Sequence, residues 1–191
     1  LHCKFSSINA HDKDPKKLIS YLKQRVDAGG LLVFPAFELE ASQEKFLETT
    51  SHVTLTQENI NTGIFAKLAH DDKEFYRTLH PTHSMLVYPS TAKSHFENHG
   101  ADGSFSLESS PISALEDKNG WILNIGVGLN STTSIHLAEE RDQNRFPITT
   151  LSKLTFDGTI SNMMELKRYS VRPISKSLVT IRNCDWLKPH L

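Results

Sequence analysis

Cysteine is scarce in this sequence, with two residues in 191. Cys3 and Cys184 lie near opposite ends of the chain, and a disulfide framework or a cysteine-based zinc site needs more of them. Long apolar runs are also missing, since none approaches the ~20 residues of a membrane span. No signal peptide opens the chain, although it begins in what reads as the middle of a strand, so we expect residues before Leu1 to be absent. These absences predict a cytoplasmic protein without a membrane segment.

An excess of charge of one sign is lacking too. The 21 Lys and Arg residues balance 22 Asp and Glu residues, which gives a formal net charge of −1. No global basic field therefore favours nucleic acid or acidic lipid as a partner. The sequence also lacks the Gly-x-Ser-x-Gly nucleophile elbow and the Gly-x-x-x-x-Gly-Lys phosphate loop. These two absences argue against an α/β-hydrolase and against a P-loop nucleotide enzyme.

The first half of the chain predicts alternating strands and helices. Asp14-Pro15 is a cap followed by a first-turn proline, and the apolar spacing after it predicts a helix between strands at residues 1–5 and 31–34. Residues 35–61 show no strong periodicity and are interpreted as a long irregular loop. Next come a helix over residues 62–68, with Ile64, Phe65 and Leu68 facing inward, a strand over 85–88, a polar loop over 93–110 and a short helix from Ser110-Pro111.

The last third predicts mainly strands, at residues 151–156, 159–164, 167–171 and 178–181, with Asp157-Gly158 as a turn. The length suits one sizeable domain over residues 1–191. The predicted fold class is therefore α/β, a single domain with a mixed sheet flanked by helices and an antiparallel β-rich C-terminal third.

Residues 121–140, WILNIGVGLNSTTSIHLAEE, are the centre of the functional argument. The apolar run over 121–127 predicts a buried strand, Gly126 and Gly128 break it, and residues 130–133 offer side chains that can cap a helix. Exposed N–H groups at a helix start suit a developing negative charge, and His136 in that helix can titrate near neutral pH. The alternative is a strand–turn–helix corner with a structural histidine.

Two carboxylates follow His136, namely Glu139 and Glu140 at i+3 and i+4. On a helix these positions share a face with the histidine. A carboxylate beside an imidazole fixes its tautomer and raises its basicity, so His136 could take a proton from an amine or an alcohol. The alternative for the glutamates is an exposed, solvated helix face.

Other histidines suggest a metal only weakly. His95 and His99 have the i, i+4 spacing of zinc ligands, but their context is loop-like and lacks the glutamate of a metalloprotease motif. We therefore predict no metal, with a metal-dependent hydrolase as the alternative. A further group, Arg77, His80 and Ser84, precedes the strand over residues 85–88, where Pro81 forces an extended backbone at His80.

With these residues identified, the chain resembles the aminoglycoside 3-N-acetyltransferase family. The resemblance is carried by residues 30–37 (GLLVFPAF), 77–84 (RTLHPTHS) and 122–139 (ILNIGVGLNSTTSIHLAE). It implies acetyl-CoA-dependent acetylation of a small-molecule amine, an aminoglycoside or related aminosugar. The implied site residues are the base His136 with Thr133 and Glu139 at the reacting centre, and Arg77, His80, Ser84 and Pro35 near the cofactor.

The sequence departs from the family pattern at the expected site. Cys3-Lys4 stands where a Ser-Ser pair is usual, Ala36 where a threonine is common, and Asn130 where an aspartate is frequent. Each change removes a hydroxyl or a charge, which leaves a non-catalytic binding or assembly module as the alternative function. The expected acceptor loops, residues 38–61 and 93–110, carry acids that would suit a polycationic amine: Glu38, Glu40, Glu97 and Asp102.

Overall fold

The computed structural model describes residues 1–7, 14–26, 28–38, 42–99, 105 and 109–181. Its strands in these ranges are β1 (His2–Cys3), β2 (Leu32–Pro35), β3 (His52–Thr54), β4 (Tyr76–Arg77), β5 (Met85–Tyr88), β6 (Asn124–Ile125), β7 (Phe156–Ser161) and β8 (Leu166–Val171). The α-helices are α1 (Pro15–Gln24), α2 (Gln43–Thr49), α3 (Ile64–Asp71), α4 (Lys93–Phe96), α5 (Pro111–Asp117), α6 (Ile135–Arg141) and α7 (Lys176–Ile181). None of the helices in these ranges is long and apolar enough to cross a membrane.

The strands form three small sheets. β1 and β6 pair in parallel, whereas β2, β5 and β4 form an antiparallel sheet with β5 in the centre. In the third sheet β7 pairs in parallel with β3 and antiparallel with β8. This mixed α/β architecture, with an antiparallel hairpin towards the C-terminal end, confirms the predicted fold class.

Local sequence signals explain the first elements. α1 begins at Pro15 because Asp14 caps it: the Asp14 Oδ1 accepts a hydrogen bond from the Lys16 N–H at 2.9 Å. The predicted strand over residues 85–88 has those bounds, and β2 lies one residue later than predicted. Both strands are buried, and Phe34 of β2 packs on the rings of Phe65 and Phe75 to form the core beside α3. Ile64 of α3 is exposed, so the prediction that it faces inward was wrong.

The prediction of an irregular loop over residues 35–61 was wrong, because this segment contains α2 and β3. Ser42 caps α2 by accepting a hydrogen bond from the Lys45 N–H at 3.4 Å. Leu47 of α2 and Val53 of β3 enter a core cluster that is completed by residues of β7 and β8. α2 has only seven residues, so its apolar positions are too few to show a helical period.

The C-terminal third also differs in detail from the prediction. Asp157 and Gly158 lie inside β7 and not in a turn. A Cβ atom at Gly158 would stand 2.5 Å from the Ser51 carbonyl oxygen and would clash with the Tyr169 hydroxyl, so glycine permits close strand packing here. The connection between β7 and β8 is instead made at residues 162–165, and residues 178–181 belong to the helix α7 and not to a strand.

The strand predicted over residues 121–127 is short and poorly covered. Only Asn124 and Ile125 pair, with β1, and the Trp121 side chain before them is 93% exposed. The prediction of a buried strand was therefore wrong. A short parallel strand does lie within the run, but no described element packs over its first three residues enough to bury them.

Candidate active site

α6 brings the central histidine into the site. His136 is the second residue of α6 and its side chain is buried. The predicted helix is confirmed, but not its capping: Leu129–Ser131 form a 3-10 turn, and Ser134 at the N-cap position makes no side-chain capping bond. The helix start is therefore fixed by packing and backbone geometry rather than by the side chains at residues 130–133.

His136 is paired with Glu139 one helical turn along. The His136 Nδ1 lies 2.8 Å from the Glu139 Oε2, and the Glu139 side chain is only 2% exposed. An ionised carboxylate only accepts hydrogen bonds, so Nδ1 carries a proton, and in the neutral ring Nε2 then carries the lone pair. Glu140 is buried as well, and its Oε2 accepts a hydrogen bond from the Phe105 N–H at 2.7 Å. The alternative of an exposed helix face was wrong for both glutamates.

Two rings flank the imidazole of His136. The ring centroids of His83 and Phe105 lie 5.0 Å and 5.1 Å from that of His136, and they lie 4.8 Å from each other. The Phe105 backbone is held by Glu140, and His83 belongs to the turn before β5. Three segments of the chain thus meet around one imidazole.

His80 holds the turn that carries His83. Its Nδ1 accepts hydrogen bonds from the backbone N–H groups of Thr82 at 3.1 Å and His83 at 2.9 Å. Its ring packs against His99, whose Nδ1 lies 2.9 Å from the Thr78 Oγ1. Burial, helped by the neighbouring His80, lowers the pKa of His99 well below its ordinary value.

The spacing of His95 and His99 does not make a metal site in this structure. His95 is exposed on α4, whereas His99 is fully buried, so the two side chains do not share a face. Among the described residues, no group of three or more His, Cys, Asp or Glu side chains is arranged to hold a metal ion.

Arg77 lies in a buried network at the end of β2. Its guanidinium donates to the Ser84 Oγ, to the carbonyl oxygens of Thr56 and Ala36 at 2.8 Å and 2.9 Å, and to the Glu38 Oε1 at 2.9 Å. Ser84 in turn donates to the Ala36 carbonyl at 2.6 Å. Burial lowers the pKa of Arg77, and the Glu38 carboxylate opposes that effect. These contacts are those of a structural ion pair, and a role of Arg77 and Ser84 towards the cofactor stays a prediction.

A cleft of about 680 Å³ opens beside His136. Its walls come from β1 and the residues after it, from the end of β2, from residues 61–64 and from the segment leading into α6. Pro35, Thr133 and His136 line it, whereas Arg77, His80 and Ser84 are not among its described lining residues. The described side chains that line it include one Lys or Arg, namely Lys4, and no Asp or Glu.

A second, largely apolar cleft of about 510 Å³ lies on the other side of Pro35 and Thr133. Its walls include Trp121, Ile122 and Leu137. The two clefts share His2, Pro35 and Thr133, so these residues form the boundary between them. At this boundary the Thr133 N–H donates a long hydrogen bond of 3.4 Å to the His2 Nε2. Burial lowers the pKa of His2, which fits a neutral ring whose Nε2 accepts this bond.

Comparison with known proteins fits this arrangement. The family model of the aminoglycoside 3-N-acetyltransferases matches residues 1–176. The chain belongs to this family. Membership confirms the predicted enzyme class, an acetyltransferase, and the predicted cofactor of that class, acetyl-CoA. No curated protein matches the sequence.

Solved structures share the fold at low sequence identity. AAC(3)-Xa is 18% identical with a TM-score of 0.70, over 96% of this chain and 69% of that one. AAC-IIIb, in a binary complex with CoASH, is 16% identical with a TM-score of 0.62, over 92% and 68%. AAC-VIa bound to sisomicin is 16% identical with a TM-score of 0.66, over 98% and 75%. Identities this low establish the fold, and the site must be argued from this chain's own residues.

The departures from the family pattern fall mostly on the larger cleft. Cys3, Lys4 and Asn130 line it, and burial raises the pKa of the Cys3 thiol. Ala36 does not line it: this residue is fully buried, and its carbonyl accepts from Arg77 and Ser84.

The positions of the acidic residues that were expected to bind the acceptor do not test that role. The Glu38 carboxylate forms an ion pair with Arg77, and Glu97 is exposed next to α4. Glu40, Asp102 and Cys184 lie outside the described residues. The acceptor side of the site therefore stays a prediction.

Sequence reasoning missed two members of the site, Phe105 and Gln43, and gave a third, Glu140, only as a neighbour of His136 on the helix face. Phe105 and Glu140 hold one wall around His136, and Gln43, at the start of α2, contacts His83. Glu140 had a signal, because its i+4 spacing puts it near His136. Gln43 and Phe105 had none, because they lie 93 and 31 positions before His136 in the sequence.

Proposed function

We propose that this chain transfers the acetyl group of acetyl-CoA to an amino group of an aminoglycoside or related aminosugar, with His136 as general base. The observation that carries the proposal is the buried His136–Glu139 pair beside a cleft of about 680 Å³. Family membership supports the reaction class. The relatives solved with CoASH and with sisomicin support the two substrate classes.

The chemistry requires a neutral amine, because an ammonium group has no lone pair for attack. His136 takes a proton at Nε2 as the amine nitrogen bonds to the thioester carbonyl carbon, and the carbonyl electrons move to oxygen. When the carbonyl re-forms, the C–S bond breaks and His136 returns its proton to the departing sulfur. The products are an amide and a free thiol. Glu139 stabilises the imidazolium between these steps, and Thr133 at the start of α6 is assigned to the oxyanion.

The charge of the larger cleft suits the acetyl donor better than the acceptor. Coenzyme A carries phosphates, whereas an aminoglycoside is a polycation. The described lining of this cleft has Lys4 and no carboxylate, which favours a phosphorylated ligand. We therefore place the acetyl donor there, with Pro35 and Thr133 close to the reacting end. Acceptor specificity is assigned to the segments 38–61 and 93–110.

The test of the base is His136→Asn, with His136→Ala as a second variant. Removing a general base costs on the order of 10²–10⁴ in rate. Coenzyme A affinity and the thermal unfolding midpoint should stay near the wild-type values, since Asn keeps a polar side chain at a buried position. Turnover within a few-fold of wild type on an accepted amine would place the base elsewhere.

A non-catalytic module is the second candidate function, because Cys3, Lys4 and Asn130, three departures from the family, line the cleft. Binding of acetyl-CoA to the folded state at about 100 times its Kd adds ~2.7 kcal/mol of stability. For a chain of this length such a gain raises Tm by roughly 5–11 °C. No rise at saturating acetyl-CoA would decide for the module, and a rise with turnover decides for the enzyme.

A further inference from the structure

We propose that Gln43 is a positioning residue that holds His83 as a neutral imidazole, with its proton on Nδ1, against the ring of His136. The catalytic part of this inference rests on the proposed function of His136. The protonation state of His83 does not, because it follows from the hydrogen bonds of three buried side chains.

The orientation of the Gln43 amide is fixed by the backbone of the C-terminal segment. The Gln43 side chain is buried at the start of α2, and its Oε1 accepts a hydrogen bond from the Ile174 N–H at 3.0 Å. A backbone N–H can only donate, so the amide atom facing it must be oxygen. The amide nitrogen then faces the His83 Nε2 at 3.2 Å. Because an amide nitrogen is a donor only, the His83 Nε2 must be the acceptor.

The other nitrogen of His83 carries the proton. The His83 Nδ1 lies 3.1 Å from the Thr82 Oγ1, which accepts from it, and the Thr82 hydroxyl lies 3.5 Å from the Gln43 Oε1. Gln43, Thr82 and His83 thus form a ring of polar contacts with a single direction of donation. A proton on the His83 Nε2 would place two donors face to face among buried groups, which is costly because a buried donor without an acceptor loses its hydrogen bond.

A neutral His83 matters because of what it touches. Its ring packs edge to face on His136, with centroids 5.0 Å apart. Its other ring contacts in the described part of the chain are Phe37 at 4.4 Å, Phe105 at 4.8 Å and His80 at 5.8 Å, and the His80 Nδ1 is itself a hydrogen-bond acceptor. Two buried carboxylates of α6 lie at this cluster: Glu139, bonded to His136, and Glu140, bonded to the Phe105 N–H.

His136 would therefore accept its proton beside two carboxylates and beside neutral rings. A cationic His83 at that distance would oppose the charge that forms on His136 during the reaction, since like charges in a buried site repel strongly. Gln43 keeps this second cation from forming. Its effect on the reaction acts through His83 and not through the substrates.

The wild-type protein provides the first test, by ¹⁵N NMR of histidine-labelled material. We expect His83 to show a protonated Nδ1 and an unprotonated Nε2, and to keep this pattern from pH 8 to about 5.5, roughly a unit below the ordinary pKa of histidine. A proton on Nε2, or titration of His83 near 6.5, would overturn the proposal. This measurement needs neither a variant nor an active preparation.

Gln43→Glu provides the second test. Glutamate keeps the chain length and an oxygen for the Ile174 N–H, but it offers a carboxylate oxygen to the His83 Nε2 and so favours a doubly protonated ring. We expect a cationic His83 at pH 7 and a kcat lower on the order of 10-fold or more, with KM for acetyl-CoA nearly unchanged.

The matched control is Glu44→Ala, at the next position of α2. The Glu44 Oε2 accepts a hydrogen bond from the Lys176 N–H at 3.0 Å, so this variant breaks a contact between the same two segments without touching His83. We expect its kcat and its His83 spectrum to match wild type. Equal losses of kcat in both variants, or a Gln43→Glu variant with wild-type kcat, would make Gln43 merely structural and defeat the proposal. A wild-type protein without turnover would instead defeat the proposed function, while the spectrum of His83 would still decide its tautomer.

Discussion

Arg77 is either a structural residue or a cofactor-binding residue, and the variant Arg77→Ala distinguishes the two. A structural role predicts mainly a loss of folding stability, whereas a cofactor-binding role predicts mainly a loss of coenzyme A affinity. The guanidinium and the Glu38 carboxylate are 2.9 Å apart, with side chains 6% and 10% exposed. Arg77→Ala would leave that carboxylate buried without its counter-ion. It would also take donors away from the carbonyl oxygens of Thr56 and Ala36. We therefore expect a large loss of folding stability.

The size of the loss follows from this geometry. Breaking one side of a buried ion pair typically costs about 3–5 kcal/mol. For a chain of this length that corresponds to a fall in Tm of roughly 6–20 °C. Thermal and urea unfolding measure the loss, and calorimetry with coenzyme A, below the Tm of the variant, measures affinity. We expect that affinity to be unchanged, because Arg77 is not among the described residues that line the larger cleft.

A contact between Arg77 and a cofactor phosphate predicts the opposite pattern. Losing one charge-assisted hydrogen bond costs about 1.5–3 kcal/mol, which weakens binding roughly 13- to 160-fold. Lys4→Ala is the matched control, since Lys4 is exposed and lines the cleft. Its coenzyme A binding should weaken, most at low salt, with stability changed by less than about 0.5 kcal/mol. A folded Arg77→Ala variant with a near-normal Tm and at least 10-fold weaker binding would refute the structural interpretation.

Two further predictions concern stability. Burial and His80 hold the pKa of His99 well below its ordinary value, so below about pH 6.5 the unfolded chain binds a proton that the folded chain does not. Stability should therefore fall as the pH drops through that value, by up to ~1.4 kcal/mol per pH unit, and urea unfolding of His99→Gln should show a flatter dependence. Gly126 has φ +66°, and its Cβ would stand 2.9 Å from the Lys4 carbonyl oxygen, so Gly126→Ala should lose about 1–3 kcal/mol in the same assay. Gly128→Ala is the control, because no described atom beyond its two chain neighbours lies within 4 Å of the Cβ position there, and equal effects of the two alanines would contradict this reasoning.

The parts of the fold that the sequence predicts well depend on short-range chemistry. Asp14 and Pro15 mark the start of α1 because the capping bond and the fixed φ of proline act within two residues. β2 and β5 are continuous apolar runs that pair with each other, and their burial matches their composition. The helix that carries His136 is also present where it was predicted, although its N-cap residue Ser134 makes no side-chain capping bond.

The predictions that failed depend on which other segments cover a residue. Residues 121–123 are as apolar as β5, yet they are exposed. The burial of an apolar run depends on which other elements of the chain pack over it, and the run itself does not encode those elements. α2 is too short for a period to be recognised, and its position is fixed by Leu47 packing under β7 and β8. Gln43 was missed with it, because a polar residue in an apparent loop gives no sign of burial.

The same distinction between short-range and long-range contacts applies to the candidate active site. His136 and Glu139 are three positions apart, so one helical turn is enough to predict their pairing. The contact of Gln43 with Ile174 spans 131 positions, as does that of His2 with Thr133, and no local pattern encodes either of them. The family motif therefore predicts the proposed base and its carboxylate. The rings and amides around that base come from segments that only the folded chain brings together, so variants within the motif and variants at Gln43 test separate claims.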